Sequence, residues 1–129
     1  MVRTDILEKL KIITTEEQDI INGEKQINRE IYMSGRDNTI NSKKLLDEGK
    51  IITMRKHTRF IDFPEHSHDY VELIYMCQGS TTHIIEGKEI KLSEGELLFL
   101  GQGIHHSIKR ADENDIAVNF IVLPHFFSD

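Results

Sequence analysis

The chain has a single cysteine, Cys77, which excludes an internal disulfide and fits a reducing cytoplasm. It has no apolar run of about 18 residues, which excludes a membrane-spanning helix. The opening MVRTDILEKLKII lacks the long apolar stretch of a secretory signal. Basic residues are in the minority: 16 Lys and Arg stand against 22 Asp and Glu, a net charge of −6. That balance disfavours nonspecific binding to nucleic acid, which needs clustered Lys and Arg against phosphate. What remains, 129 residues with 38% hydrophobic and 29% charged, suits one soluble domain. Cys77 lies in an apolar strand with no activating neighbour and reads as a small buried hydrophobe.

Two parts are expected. Residues 1–50 are polar and mostly helical. Thr4 is placed to cap a first helix with Ile6, Leu7, Leu10 and Ile13 along one stripe. Thr14 and Glu17 have capping-box spacing for a second helix, with Gly23 as its stop. Asn41 or Ser42 opens a third, NSKKLLDEG, while residues 24–40 read as irregular or extended. The first two helices make a poor DNA reader, because Glu16, Glu17 and Asp19 would face phosphates. They are expected to lie against the second part.

From residue 51 to 129 the pattern is short strands. Candidates are 51–55, 71–76, 81–85, 89–92, 97–100, 104–109 and 116–123, separated by glycine or acidic turns such as ADEND. Strands at such intervals indicate an antiparallel sandwich or barrel. Arg55, Lys56, His57 and Arg59 form a basic cluster, expected on an edge or an exposed strand face.

Within this part, residues 66–79 read HSHDYVELIYMCQG, or His-x-His-x3-Glu-x6-Gly. His66 and His68 fall on one strand face, because strand side chains alternate. On a straight strand Glu72 would sit about 13 Å beyond His68. A shared site therefore needs a bend near Asp69 and Tyr70. The spacing resembles the first motif of the cupin superfamily. Residues 95–106, GELLFLGQGIHH, resemble the second motif: Gly95, Gly101 where proline is usual, Gly103, and His106 at the last ligand position. Phe60, in place of the opening glycine, and Arg110, in place of an asparagine, depart from it.

The expected pocket comprises His66, His68, Glu72 and His106, with Tyr70, Ile74 and Met76 sharing the parity of Glu72. Ile74 and Met76 serve equally as plain core. Three imidazoles and a carboxylate suit zinc, nickel, manganese or iron. They suit equally a sugar or an organic acid held by hydrogen bonds. His105 has the opposite parity and belongs outside. His83 and His125 lack a partner pattern and read as structural or exposed.

Read together, HTRFIDFPEHSHDYVELIYMCQGS and LSEGELLFLGQGIHHSIKRADENDIAVNFIVLPHFFSD resemble the N-terminal effector-sensing domain of AraC-type bacterial transcription regulators. The resemblance covers roughly residues 50–129. It rests on the ordered combination of a proline before His-x-His, the strand VELIYMCQG, the Leu-x-x-Gly-Glu-Leu turn, a later histidine, and the ending Pro124-x-Phe126-Phe127. It implies a mainly β, cupin-type jelly-roll barrel with a helical N-terminal extension. It implies a small effector in that barrel, DNA contact only through a helix-turn-helix domain missing from this chain, and a homodimer. The chain then reads as a trimmed sensing domain. A metal-dependent cupin enzyme (an oxygenase or a sugar isomerase) and a stand-alone metabolite-binding module are the competing readings.

Overall fold

A computed structural model describes residues 2–127 of the chain. Met1, and Ser128 and Asp129 at the end of the expected barrel, lie outside the described residues. The N-terminal part contains helices α1 (Thr4–Leu10), α2 (Thr15–Ile21), α3 (Arg29–Tyr32) and α4 (Ser42–Leu45), with a short strand β1 (Thr39–Ile40) between the last two. Strands β2 (Ile52–Lys56), β3 (Phe63–His68), β4 (Val71–Gln78), β5 (Ser80–Ile85), β6 (Lys88–Ser93), β7 (Leu97–Leu100), β8 (His106–Ile108) and β9 (Ile116–Val122) follow. A 3-10 turn at Pro124–Phe127 ends the described chain.

The strands form two sheets, ordered β1-β3-β8-β5-β6 and β2-β9-β4-β7. Pairing is antiparallel except between β1 and β3. Consecutive strands β3 and β4 lie in different sheets, and the bend at Asp69 and Tyr70 carries the chain across. This is the jelly-roll arrangement of a cupin barrel. Inward residues of the two sheets make two clusters, one around Phe63, Tyr70, Ile108 and Ile121, the other around Ile74, Met76, Leu92 and Leu100.

The helices meet some expectations and correct others. The capping box at Thr14 and Glu17 is present in full. Thr4 begins α1 rather than capping it. Only Leu7 and Leu10 of its stripe pack down, onto Cys77, Ile116 and Val118 of the outer sheet face, while Ile6 and Ile13 are exposed. The third helix stops at Leu45, four residues before Gly49. Residues 24–40 are more ordered than expected, because Asn28 caps the short α3 and Tyr32 plugs into the barrel.

The basic cluster is the clearest correction. His57 and Arg59 are buried, and Lys56 is half-buried. The reason is Glu17 on α2, itself wholly buried. Its carboxylate accepts from Arg59 Nε at 2.8 Å, Arg59 Nη2 at 3.1 Å, the Arg59 backbone N–H at 2.9 Å and Lys56 Nζ at 2.8 Å. These donors outweigh burial and hold the Glu17 carboxyl down at about 2. Beside it, Glu16 accepts from the hydroxyls of Tyr32 and Thr58. Two adjacent acids thus rivet α2 to the barrel, which is why they cannot serve as a DNA-reading face. Glu17→Ala would leave Arg59 buried without a counter-charge. It is expected to cost about 3–5 kcal/mol, read as a lower urea midpoint with an unchanged slope.

Two turn positions show what the backbone requires. Gly79 closes the first motif at φ 73, and a Cβ there would lie 2.3 Å from Asp115 Oδ1 and 2.7 Å from the Asn114 carbonyl. Gly79→Ala is therefore expected to destabilise by about 2–3 kcal/mol, measured as a fall in melting temperature. Phe60, which replaces the motif's opening glycine, keeps a left-handed backbone at φ 76. Its ring lies 5.0 Å from the Arg59 guanidinium, and its N–H bonds the Ala111 carbonyl at 2.7 Å. The turn keeps its shape without the glycine because tertiary contacts hold it.

Candidate functional site

The site forms where the inner faces of the two sheets meet. From the first sheet come His66 and His68 on β3, His83 on β5 and His106 on β8, and His66 is the direct cross-strand partner of His106. From the second sheet come Glu72 on β4, Arg55 on β2 and Asn119 on β9, and Arg55 is the direct partner of Asn119. His57 follows β2. All five of these histidines, and Glu72, are buried.

His68, Glu72 and His106 converge most closely, each offering one ligand atom within 4.8 Å of the others. Hydrogen bonding fixes the ring of His68. Its Nδ1 lies 2.7 Å from the Tyr70 carbonyl, which can only accept, so the neutral ring carries its proton there. The bare Nε2 then faces Glu72 Oε2 at 3.2 Å, and no hydrogen bond forms between them as placed. Two acceptors at that range repel unless a proton or a cation lies between them. His66 is held in the same tautomer by the Pro64 carbonyl at 2.8 Å. Its ring sits 4.2 Å from that of His106 but outside the converging trio.

Burial pushes the Glu72 carboxyl up to about 8. Burial also lowers His57 to about 3, His66 and His83 to about 4, and His106 to about 2, with mutual repulsion adding for all but His83. At neutral pH the interior is a cluster of uncharged imidazoles. Six buried polar atoms there have no partner: Nε2 of His57 and His68, Nδ1 of His83, both ring nitrogens of His106, and Oδ1 of Asn119. Each such atom costs about 1–3 kcal/mol if left unmet.

A cavity of about 30 Å³ is lined by Arg55, His57, His66, Tyr70, Glu72 and Asn119 on its polar side, so of the residues carrying these unpartnered atoms only His57 and Asn119 belong to its wall. Tyr32, Ile40 and Leu45 of the N-terminal part close it. Four expected pocket residues are absent from its wall: His68 and His106, which meet Glu72 in the converging trio, and Ile74 and Met76. Ile74 and Met76 do point inward, but they pack with Leu92, Leu100 and Ala117 in the neighbouring core. His105 and His125 are exposed, and Arg110 is exposed with its backbone N–H on Asp62. His83, which lacked a partner pattern, lies inside instead, with Nε2 2.8 Å from Thr81 Oγ1.

Sequence reasoning passed over Arg55, His57 and Asn119. A signal for them exists in β2, where apolar Ile52 and Met54 face outward and Arg55 faces in. A strand with inverted polarity implies a polar interior.

A family model described as the AraC-like ligand binding domain matches residues 48–126. The chain belongs to the AraC-like ligand binding domain family. A relative in this family's orbit is the HTH-type transcriptional activator RhaS of Mannheimia succiniciproducens. It is 37% identical over 51 residues, 40% of this chain and 19% of that protein. The activator RhaR of Escherichia coli is 28% identical over 60 residues, 46% of this chain and 21% of that protein. The chain thus spans about a fifth of the length of these curated relatives. Protein NMB1881 of Neisseria meningitidis shares the fold, with TM-score 0.50 and 11% identity over 84% of this chain and 97% of that one. The AraC-like family places the barrel, and the matched segment contains the buried histidines, Glu72, Arg55 and Asn119. No helix among the described residues is long and apolar enough to cross a membrane.

Proposed function

We propose that the chain is the sensing part of a transcriptional regulator and that a small polar effector enters the cavity between the sheets. The observation that carries this is the pair of unpartnered buried atoms on residues of the cavity wall, Nε2 of His57 and Oδ1 of Asn119, which a ligand would satisfy. Relatives named as HTH-type transcriptional activators supply the context, and DNA contact would belong to a helix-turn-helix domain of the same regulator. The effector class is a sugar or an organic acid, and the working assembly is a homodimer.

The route from cavity to helices is short. Tyr32 forms part of the cavity wall, and its hydroxyl donates to Glu16 of α2 at 2.5 Å. Thr58 also lines the cavity and bonds the same carboxylate at 2.9 Å. An effector that moves Tyr32 or Thr58 changes the seating of α2. Its differential affinity for the two seatings sets the size of the response. The reading is tested by calorimetric and thermal-shift screening of the chain with sugars and organic acids. A stabilising ligand of defined stoichiometry, lost in His57→Ala, supports it. Saturating panels of both classes without binding would refute it.

One geometric feature favours a second reading. His68 with a bare Nε2, His106 with two unpartnered nitrogens, and Glu72 suit a single divalent cation of the zinc, nickel, manganese or iron type. Such an ion would supply Lewis acidity at that point, as in a metal-dependent cupin enzyme. Metal analysis after loading with Zn²⁺ or Mn²⁺ is expected to give about one ion per chain, and His106→Ala about none. Cys77→Ser, under α1 on the opposite face of its sheet, should leave that value unchanged.

A further inference from the structure

Resting on the sensing reading, we propose that the cavity takes a short-chain monocarboxylate. Its carboxylate is held by Arg55 and its tail lies against Phe63, Ile108 and Ile121. Three cations line or adjoin this end of the barrel. Lys56 and Arg59 are both committed to Glu17. Arg55 is not: among the described residues it has no carboxylate partner, and its guanidinium lies over the Tyr32 ring, 4.9 Å from the centroid. A half-buried arginine in the wall of a cavity and ion-paired with no carboxylate, Glu72 of the same wall included, is open to an anion, and its planar fork matches a carboxylate.

The neighbouring groups agree. Asn119 stands directly across from Arg55, and its Oδ1 is buried without a partner. His57, 5% exposed, lines the same cavity, and its Nε2 is buried without a partner. A carboxylate seated on Arg55 would be within the company of an amide and a neutral imidazole, both able to hydrogen-bond it. The amide of Asn119 can turn to offer its N–H₂.

The rest of the wall limits the ligand. Tyr32, Ile40, Leu45, Phe63, Ile108 and Ile121 make about half of it apolar. A polyol would press hydroxyls against these side chains without partners, whereas an alkyl tail would bury there favourably. The volume of about 30 Å³ admits roughly two or three waters, so the fitting acid has few heavy atoms, on the order of two to four carbons.

The test is calorimetry on the whole chain, with EDTA present, using propionate, its neutral counterpart propionamide, and a free hexose. Propionate is expected to bind and raise the melting temperature, with propionamide about tenfold weaker or worse. Arg55→Met should lose propionate by a similar factor while its circular dichroism stays native, and Arg55→Lys should recover part of the affinity. Should Arg55→Met misfold, the propionate-to-propionamide ratio on the unmodified chain decides alone. Equal binding of propionate and propionamide, or native Arg55→Met binding propionate undiminished, overturns the proposal. Hexose binding without propionate binding overturns it while leaving the sensing role intact. Binding of none of the three overturns the carboxylate assignment, and the wider ligand screen then judges the sensing role separately.

Discussion

Lowering the pH from 7 to 5 is expected to unfold the metal-free protein. His57, His66, His83 and His106 are buried and uncharged, with folded values of about 3, 4, 4 and 2. In the unfolded chain each titrates near 6.5. A depressed value means that the stability is present above 6.5 and is lost as the pH falls towards the folded value. By pH 5 each ring favours the unfolded chain by roughly 2 kcal/mol, about 8 kcal/mol for four independent rings. Glu72 opposes this. Its folded value is raised to about 8, so acid relieves a penalty, by roughly 2–3 kcal/mol over the same interval. The net loss, on the order of 5 kcal/mol, matches the whole stability of a typical small domain. Glu17, with a folded value of about 2, adds further loss only below pH 4.5. Circular dichroism against pH should show the transition complete well above pH 4. A native spectrum at pH 4 would contradict the sealed histidine interior.

Glu72→Gln is expected to have the second large effect, with the opposite sign. At pH 8 the unfolded chain gains from ionising this carboxyl and the folded chain barely does. The penalty grows from pH 4.5 up to about 8 and amounts to roughly 4–5 kcal/mol there. Gln keeps the shape, removes the titration, and can donate an N–H towards the bare Nε2 of His68. The variant should therefore melt higher than the unmodified chain at pH 8 and much the same at pH 4.5. Divalent metal should reverse the ranking, because it would be held by an ionised Glu72 and not by the amide. Melting curves at two pH values, with EDTA or with Zn²⁺, separate these outcomes. A variant less stable at pH 8 in EDTA would show that the Glu72 carboxylate is paired in a way this geometry does not contain.

Much of this was legible in the sequence, for definable reasons. Strand patterns and glycine turns located β2 and β4 to β9 to within two residues at each end, because each is short and bounded by turn residues. The His-x-His-x3-Glu spacing and His106 pointed to one interior, and the required bend at Asp69 and Tyr70 is where the chain changes sheets. His57, Arg59 and Glu17 were not legible. Their burial depends on a pairing 42 residues apart in sequence, between a helix and a strand end, which no local pattern encodes. Ile74 and Met76 had the right parity, but their depth along the barrel decides whether an inward side chain meets the cavity or the core. Parity carries no information about depth.

The binding role rests on bare imidazole nitrogens converging inside one closed interior. Selective ¹⁵N labelling of histidine, read by long-range ring correlations at pH 7.5, tests it most directly. The expected spectrum shows the rings of residues 57, 66, 68, 83 and 106 uncharged, with His66 and His68 protonated on Nδ1 alone. Signals of charged rings, or of His68 protonated on Nε2, would contradict it.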